Sequence, residues 1–397
     1  MRKTYFGRLL TWAFGIVCIL SAWLLPVTAA AQNGKTTKAG DDARVKDSIE
    51  QVKKFYEEEA RQKHELLNLY GERADSVQRE TYIYKIVGTD TLYLDIYYVL
   101  RDAFYGNQRA FIYSFGGAWE GGQRQNGAFL EDMAKQGFIG VAIDYRLGIK
   151  KMKEAKKQGK TMFKGENPYV ASIRMALEDL YDATTFCQVL FSTRMFKVRK
   201  YYVSGSSAGA INSLTAEYLI CQNDTLATNH LLPHFNYDGV VSFAGGIWTL
   251  GDTLKWKRKP CPVISFHGTD DRLVPIRYKH DDNFNASAFG PEYFMPQLKK
   301  MNVSHILNRF SEANHEIAIL AEWGRAEYVP LVIKQIKEME KAWHTVDKTN
   351  DYPKGAFKMN KPGPPREFPE TPFSKIDKVG YYYYIKEYIQ LLKQQTK

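Results

Sequence analysis

From Glu80 to Ala342 the chain alternates short β-rich blocks with stretches of helical period. Thr81–Val87 and Thr91–Val99 read as strands, and Gly88-Thr89-Asp90 between them reads as the turn of an antiparallel hairpin. Ala110–Ser114 and Ile139–Ile143 are further strands, with a helix over Asn126–Gln136 between them. Ala171–Leu190 carries a strong amphipathic period, and Tyr201–Val203 is a short buried strand. Ala210–Ile220 then places Ile211, Leu214, Tyr218 and Leu219 at helical spacing without Pro or Gly. Strands Gly239–Phe243, Val263–Phe266 and Val303–Phe310 follow, with helices at Pro291–Lys300 and Glu316–Ala342. Strands alternating with helices predict an α/β domain with a doubly wound, mainly parallel sheet and the hairpin at one edge.

Four stretches break this rhythm. Residues 1–31 have a charged start (Arg2, Lys3, Arg8), an uncharged, mostly apolar run from Leu9 to Leu25, then Pro26 and Ala29-Ala30-Ala31. That is the pattern of a secretory signal peptide cut near Gln32, which implies a secreted or periplasmic protein. An uncleaved N-terminal membrane anchor is the alternative, on a run at the short edge for spanning. Residues 32–79 are highly charged and read as an extension, with a solvated helix over Asp47–Tyr70. Leu147–Pro168 is Lys-rich and weakly helical, a surface loop or part of a lid. Residues 343–397 form a tail. Thr345–Pro372 reads as a linker rich in Pro, Lys, Asp and Asn, and Tyr381–Leu392 as a short apolar helix that docks on the domain. The catalytic domain is thus expected over 80–342.

Composition narrows the class. An aromatic content of 14% over 397 residues excludes disorder throughout and leaves ample core for one large domain. The formal charge of +11 falls to +8 once the three basic residues of the leader are removed. The remaining Lys and Arg are interspersed with Asp and Glu, without an aromatic-interleaved stripe, so a nucleic-acid partner is not expected. Cys187, Cys221 and Cys261 allow at most one disulfide. Cys187 and Cys221 flank the strand Tyr201–Val203 in sequence and are either a pair or two buried thiols.

The chemistry centres on Gly205-Ser206-Ser207-Ala208-Gly209, a G-x-S-x-G turn between a strand and a helix. There Ser207 would protrude as a nucleophile, with the Ala208 amide at the helix start aimed at an oxyanion. Gly116-Gly117 follows an early strand and would supply the remaining oxyanion donors. An acid is expected in His267-Gly-Thr-Asp-Asp-Arg-Leu-Val-Pro275, after the strand Val263–Phe266. Side-chain direction leaves Asp270 and Asp271 open. Of the later histidines, His280 is in a polar loop beside the acid, His305 in a strand and His344 past the last sheet-packing helix. His315 alone is in a short strand-to-helix loop, where a general base belongs. His280-Asp281-Asp282-Asn283 is read as a polar loop rather than a cation site, and no metal site is expected.

Ser-Phe-Gly-Gly-Ala-Trp119, Asp144-Tyr-Arg-Leu147, Gly-Ser-Ser-Ala-Gly209, His-Gly-Thr-Asp-Asp-Arg-Leu-Val-Pro275 and Asn-His315 together resemble the α/β-hydrolase superfamily. The likeness is to its carboxylesterase and hormone-sensitive-lipase side and spans residues 80–342. It implies the α/β-hydrolase fold, Asp271 as the acid and His315 as the base. His315 would deprotonate Ser207, and amides of Gly116, Gly117 and Ala208 would hold the oxyanion, with no metal or organic cofactor. Phe115 stands where the family usually has histidine. Trp119, with Phe115, is expected to line the substrate pocket. The implied partner is a small-molecule or glycan-linked ester with a small acyl group or an aromatic acid. No membrane partner is expected after leader cleavage, and oligomeric state stays open. Two other readings are a serine peptidase of the same superfamily and an inactive hydrolase fold used for binding.

Overall fold

The structure, a computed structural model, describes residues 38–124, 127–283, 285–323, 325–350 and 367–395. The leader at 1–31 and the Pro- and Lys-rich part of the tail at 351–366 lie outside the described residues. The described residues divide into two compact units between Asn68 and Leu69. In the first, one helix runs through Lys38–Tyr70, longer than the expected Asp47–Tyr70. Charge pairs one turn apart, such as Glu50 with Lys54 at 2.9 Å, line it.

In the second unit, nine strands among the described residues form one sheet in the order β1-β2-β4-β3-β5-β6-β8-β11-β12. β1 (Val77–Val87) and β2 (Asp90–Val99) make the expected hairpin at one edge. β1 starts within the stretch assigned to the extension. β3 (Gln108–Ser114), β4 (Phe138–Ile143), β5 (Val198–Ser206) and β6 (Gly239–Phe243) run parallel beyond it, followed by β8 (Val263–Gly268) and β11 (His305–Phe310). Every residue of β4, β6 and β8 is buried. Helices cover both faces of a parallel sheet, so its strands have no solvent side and read as unbroken apolar runs. Phe243 and Phe266 stack at 5.0 Å across neighbouring strands and join Phe111, Phe129 and Phe138 in the core.

Each crossover helix follows from local signals. Pro168–Thr193 starts where Asn167 accepts the amides of Tyr169 and Val170, with Pro168 at the first helical position. Ala208–Cys221 is buried on all sides, which its all-round apolar and small residues permit.

Several elements depart from expectation. Thr345–Asn350, expected as linker, is β12, pairing parallel with β11 from His305↔Thr345 to Phe310↔Asn350. A second sheet, β7 (Ile247–Leu250), β10 (Ala286–Phe289) and β9 (Tyr278–Asp281), was not anticipated; its strands are four residues each, too short to show a period. The supposed polar loop at His280 thus begins in a strand. The Lys-rich insertion forms a helix over Gly148–Lys157. Cys187 and Cys221 are buried free thiols, and Cys261 is free and half-buried. The terminal helix, Lys378–Gln395, docks through Tyr381, Tyr382 and Ile385.

One buried ion pair ties the hairpin, a crossover helix and the tail together. Arg194 caps the helix Pro168–Thr193 and reaches Glu80 on β1 at 2.5 Å, both about as buried as side chains get (3% and 2% exposed). Tyr82 donates to Glu80 at 2.6 Å, Thr371 donates to it at 2.9 Å, and Phe373 lies 3.3 Å under the guanidinium. Burial alone would push the Glu80 carboxyl up, but the Arg194 charge and these donors outweigh it and hold it below the usual range. A depressed carboxyl stabilises above its unfolded value and loses that contribution as pH falls through its folded one. Arg194→Met should cost about 3–5 kcal/mol in urea unfolding, because it strands a buried carboxylate. Glu80→Gln combined with Arg194→Met should cost less than Arg194→Met alone. A single-variant cost below about 1 kcal/mol would show that the pair behaves like an exposed one.

Candidate active site

The chain has the α/β-hydrolase fold, and its candidate residues gather where that architecture puts ligands, beyond the carboxyl ends of the parallel strands. Gly116-Gly117 follows β3, Ser207 follows β5, Asp271 follows β8 and His315 follows β11.

Ser207 sits at φ +50° and ψ −119°, a conformation a side chain adopts only under constraint. The constraint is steric. A Cβ on Gly209 would lie 2.0 Å from the Ser114 carbonyl oxygen, and one on Gly205 would lie 2.4 Å from the Gly209 carbonyl carbon. Only glycine at both positions lets strand, turn and helix approach so closely. The Ser207 amide donates to the Phe243 carbonyl at 2.9 Å, and its carbonyl accepts from Ile211. The Ala208 N–H is in the first helical turn, where no intrahelical acceptor exists.

Ser207 Oγ lies 2.7 Å from His315 Nε2, and His315 Nδ1 lies 2.8 Å from Asp271 Oδ2. Asp271 Oδ1 accepts the amides of Leu273 and Val274, each at 2.9 Å. Burial pushes the Asp271 carboxyl up, but its bond to His315, the His315 charge and the Val274 amide more than offset that, so it titrates below the usual carboxylate range. The Asp270 side chain is exposed and accepts from the neighbouring Thr269 hydroxyl. The structure therefore brings Asp271, not Asp270, to the histidine.

The acid and base loops are laced to each other. Asn314 Oδ1 accepts the amides of Arg272 at 3.0 Å and His315 at 2.9 Å. The Thr269 hydroxyl accepts from the Glu312 amide at 2.8 Å, and the Asp270 amide donates to Ala313 at 2.9 Å. A Cβ on Gly268 would strike the Ala313 and Asn314 carbonyls at 2.3 and 2.4 Å. Asn314 was read only as half of an Asn-His motif, and its part in joining the loops was missed. His267 was missed as well: it is buried with Nε2 3.5 Å from Asp271 Oδ2. The other histidines lie off the site. His280 bonds Ser287, His305 bonds the Val303 carbonyl, and His344 lies near Glu338.

Gly116 packs against Ser206 and Ser207, its Cβ position 3.1 Å from Ser206 Oγ and 3.2 Å from Ser207 Cβ. Gly117, Ala118 and Trp119 all have positive φ, at +128°, +53° and +57°. Phe115 and Trp119, the expected pocket-lining residues, are 5% and 2% exposed. Phe115 stacks on Tyr145 at 4.4 Å, and the Tyr145 hydroxyl donates to the Phe115 carbonyl at 2.8 Å. Trp119 donates from Nε1 to Asn212 at 2.9 Å and meets Tyr169 and Trp248 edge-on or tilted at 6.2 and 6.0 Å. Both side chains hold the glycine loop against the body of the domain. Among the described residues, Glu178, Asp182 and His230 could together hold a metal ion, but the Lys85 ammonium lies among the carboxylates, 2.6 Å from Glu178 and 2.7 Å from Asp182.

No family model and no curated protein matches the chain. Among solved structures it is similar to the apo form of esterase 2 from Thermogutta terrifontis, at 20% identity and a TM-score of 0.45, covering 66% of this chain and 93% of that one. It is also similar to that esterase phosphorylated by paraoxon, at 18% identity and a TM-score of 0.44, over 66% of this chain and 92% of that one. An inhibited esterase B from Lactobacillus rhamnosis is similar at 14% identity and a TM-score of 0.46, over 74% and 96%. The assignment of residues rests on the geometry above.

Labelling of Ser207 by a fluorophosphonate reads how strongly the serine is activated. Asp271→Asn should slow labelling on the order of 10³–10⁴-fold, by losing the charge and the tautomer control behind His315. Asp270→Asn should leave it within about twofold, as a surface change does. Equal loss in both variants would remove Asp271 from the relay.

Proposed function

We propose that the chain is a serine carboxylic-ester hydrolase working through Ser207, His315 and Asp271. The observation that carries the reading is the continuous relay Ser207 Oγ–His315 Nε2–Nδ1–Asp271 Oδ2, at 2.7 and 2.8 Å, on a strained turn at a strand end. His315 takes the Ser207 proton as the oxygen attacks the ester carbonyl, and Asp271 stabilises the imidazolium that forms. Negative charge moves to the carbonyl oxygen, where the Ala208 amide and the backbone of Gly116 and Gly117 are the proposed donors. His315 returns the proton to the departing alkoxide. A water, deprotonated by the same imidazole, then releases the acid and restores Ser207.

An ester fits this relay better than an amide, because an alkoxide leaves with less help than an amine. The acyl group is proposed to be small or an aromatic acid, with a glycan as the alcohol side. The pattern of residues 1–31 supports export from the cytoplasm with cleavage near Gln32.

The test is turnover of p-nitrophenyl esters from acetate to decanoate, and of methyl ferulate, by the full chain and by Ser207→Ala. Expected is turnover that falls on the order of 10⁴-fold or more in the variant. Because Asp271 keeps its charge until pH drops through its lowered pKa, kcat/KM should show no limb within the ordinary carboxylate range on acidification. Such a limb would contradict the relay. No turnover on any ester, with Ser207 still labelled by a fluorophosphonate, would redirect the reading to peptides. Failure of both would leave a binding-only fold.

A further inference from the structure

His267 is the penultimate residue of β8, four residues before Asp271, and is wholly buried. Its Nε2 lies 3.0 Å from the Val274 carbonyl. A carbonyl only accepts, so Nε2 carries the proton. The same nitrogen is 3.5 Å from Asp271 Oδ2, the oxygen that faces His315. The Val274 amide meanwhile binds the other Asp271 oxygen at 2.9 Å. His267 thus grips one end of the Val274 peptide region while that residue's N–H grips the acid.

A second proton would have to sit on Nδ1, which is buried and without a hydrogen-bond partner among the described residues. Burial accordingly pushes the His267 pKa below the usual imidazole value, despite the Val274 carbonyl and the Asp271 charge. Titratable groups whose charge acts on the ring include Asp271 on its own loop, His315 on the base loop and Glu292 on the helix Pro291–Lys300. Arg309, its register partner on β11, is engaged with Glu292 at 2.7 Å.

We propose that His267 is a positioning residue for the relay, a neutral Nε2–H donor that fixes the Asp271–Val274 turn and stands beside the carboxylate oxygen facing His315. The proposal rests on the reading of Ser207, His315 and Asp271 as a relay. Without His267 the acid loses both its aim and a nearby donor. A carboxylate with fewer donors holds an imidazolium more tightly, so the acid limb of activity moves to higher pH.

The test uses the full chain, with the pH dependence of Ser207 labelling by a fluorophosphonate, thermal unfolding, and ¹⁵N spectra of the wild-type imidazoles. His267→Phe keeps the volume and removes the donor. Labelling should slow about tenfold to a hundredfold, and its acid limb should rise by about half a pH unit. His267→Gln, whose amide nitrogen can reach the Nε2 position, should restore most of the rate and the original limb. The wild-type spectrum should show His267 as the neutral Nε2–H form at about pH 7. An unmoved limb and wild-type labelling in His267→Phe, even with a lowered melting point, would overturn the proposal and leave a packing role. Should that variant fail to fold, a shifted limb in His267→Gln, or a wild-type spectrum with the proton on Nδ1, would overturn it instead. If wild-type Ser207 does not label at all, the relay reading fails, and the spectrum still decides the state of His267.

Discussion

Everything at the site depends on how closely the chain packs around one carbonyl, that of Ser114. Register on β3 and β5 sets Ser114 opposite Gly205, and the helix after the turn brings Gly209 onto the same oxygen. A Cβ at either glycine would collide with backbone, and backbone cannot swing aside as a flexible side chain can. Within that space Ser207 has no relaxed conformation available. The sheet over-determines its φ of +50°, and the hydroxyl is driven out of the turn toward His315. The strain at the serine is sustained by the buried strands β3, β5 and β6 around it, since the Ser207 amide is also tied to Phe243.

The remaining members of the relay are delivered by loops, and loops need ties to hold sub-ångström geometry. The structure supplies them in layers. Gly268 allows the acid and base loops to touch, hydrogen bonds joining Thr269 with Glu312, Asp270 with Ala313 and Asn314 with Arg272 lace them, and Leu273 and Val274 seat the Asp271 carboxylate. The acid is kept ionised in a buried place because donors converge on it from two sides.

The sequence reading found what is local and apolar, and missed what is distant or polar. The elbow, the parallel strands and the His315 loop each announce themselves within about ten residues, through glycine spacing or continuous hydrophobic runs. β12 did not, because Thr-Val-Asp-Lys-Thr-Asn350 has no apolar alternation; its pairing is supplied by β11, not by its own side chains. The Glu80–Arg194 pair joins residues 114 positions apart, and the tail that covers it through Thr371 comes from 291 positions away. Nothing in either neighbourhood signals a buried charge. His267 was visible only as the first letter of a motif, and its contact with Asp271 depends on how the following turn closes.

Phe115, which stands where the motif that its loop resembles usually has histidine, becomes intelligible on the same physical terms. The glycine loop carries three consecutive residues of positive φ, so it must be held from outside itself. A histidine before the glycines could hold it through ring hydrogen bonds that change with protonation. Phe115 holds it by burial and by stacking on Tyr145, whose hydroxyl in turn binds the Phe115 carbonyl. Burial pushes the Tyr145 phenol far above its ordinary pKa, which favours the neutral donor. The aromatic pair therefore fixes the loop by contacts that do not titrate.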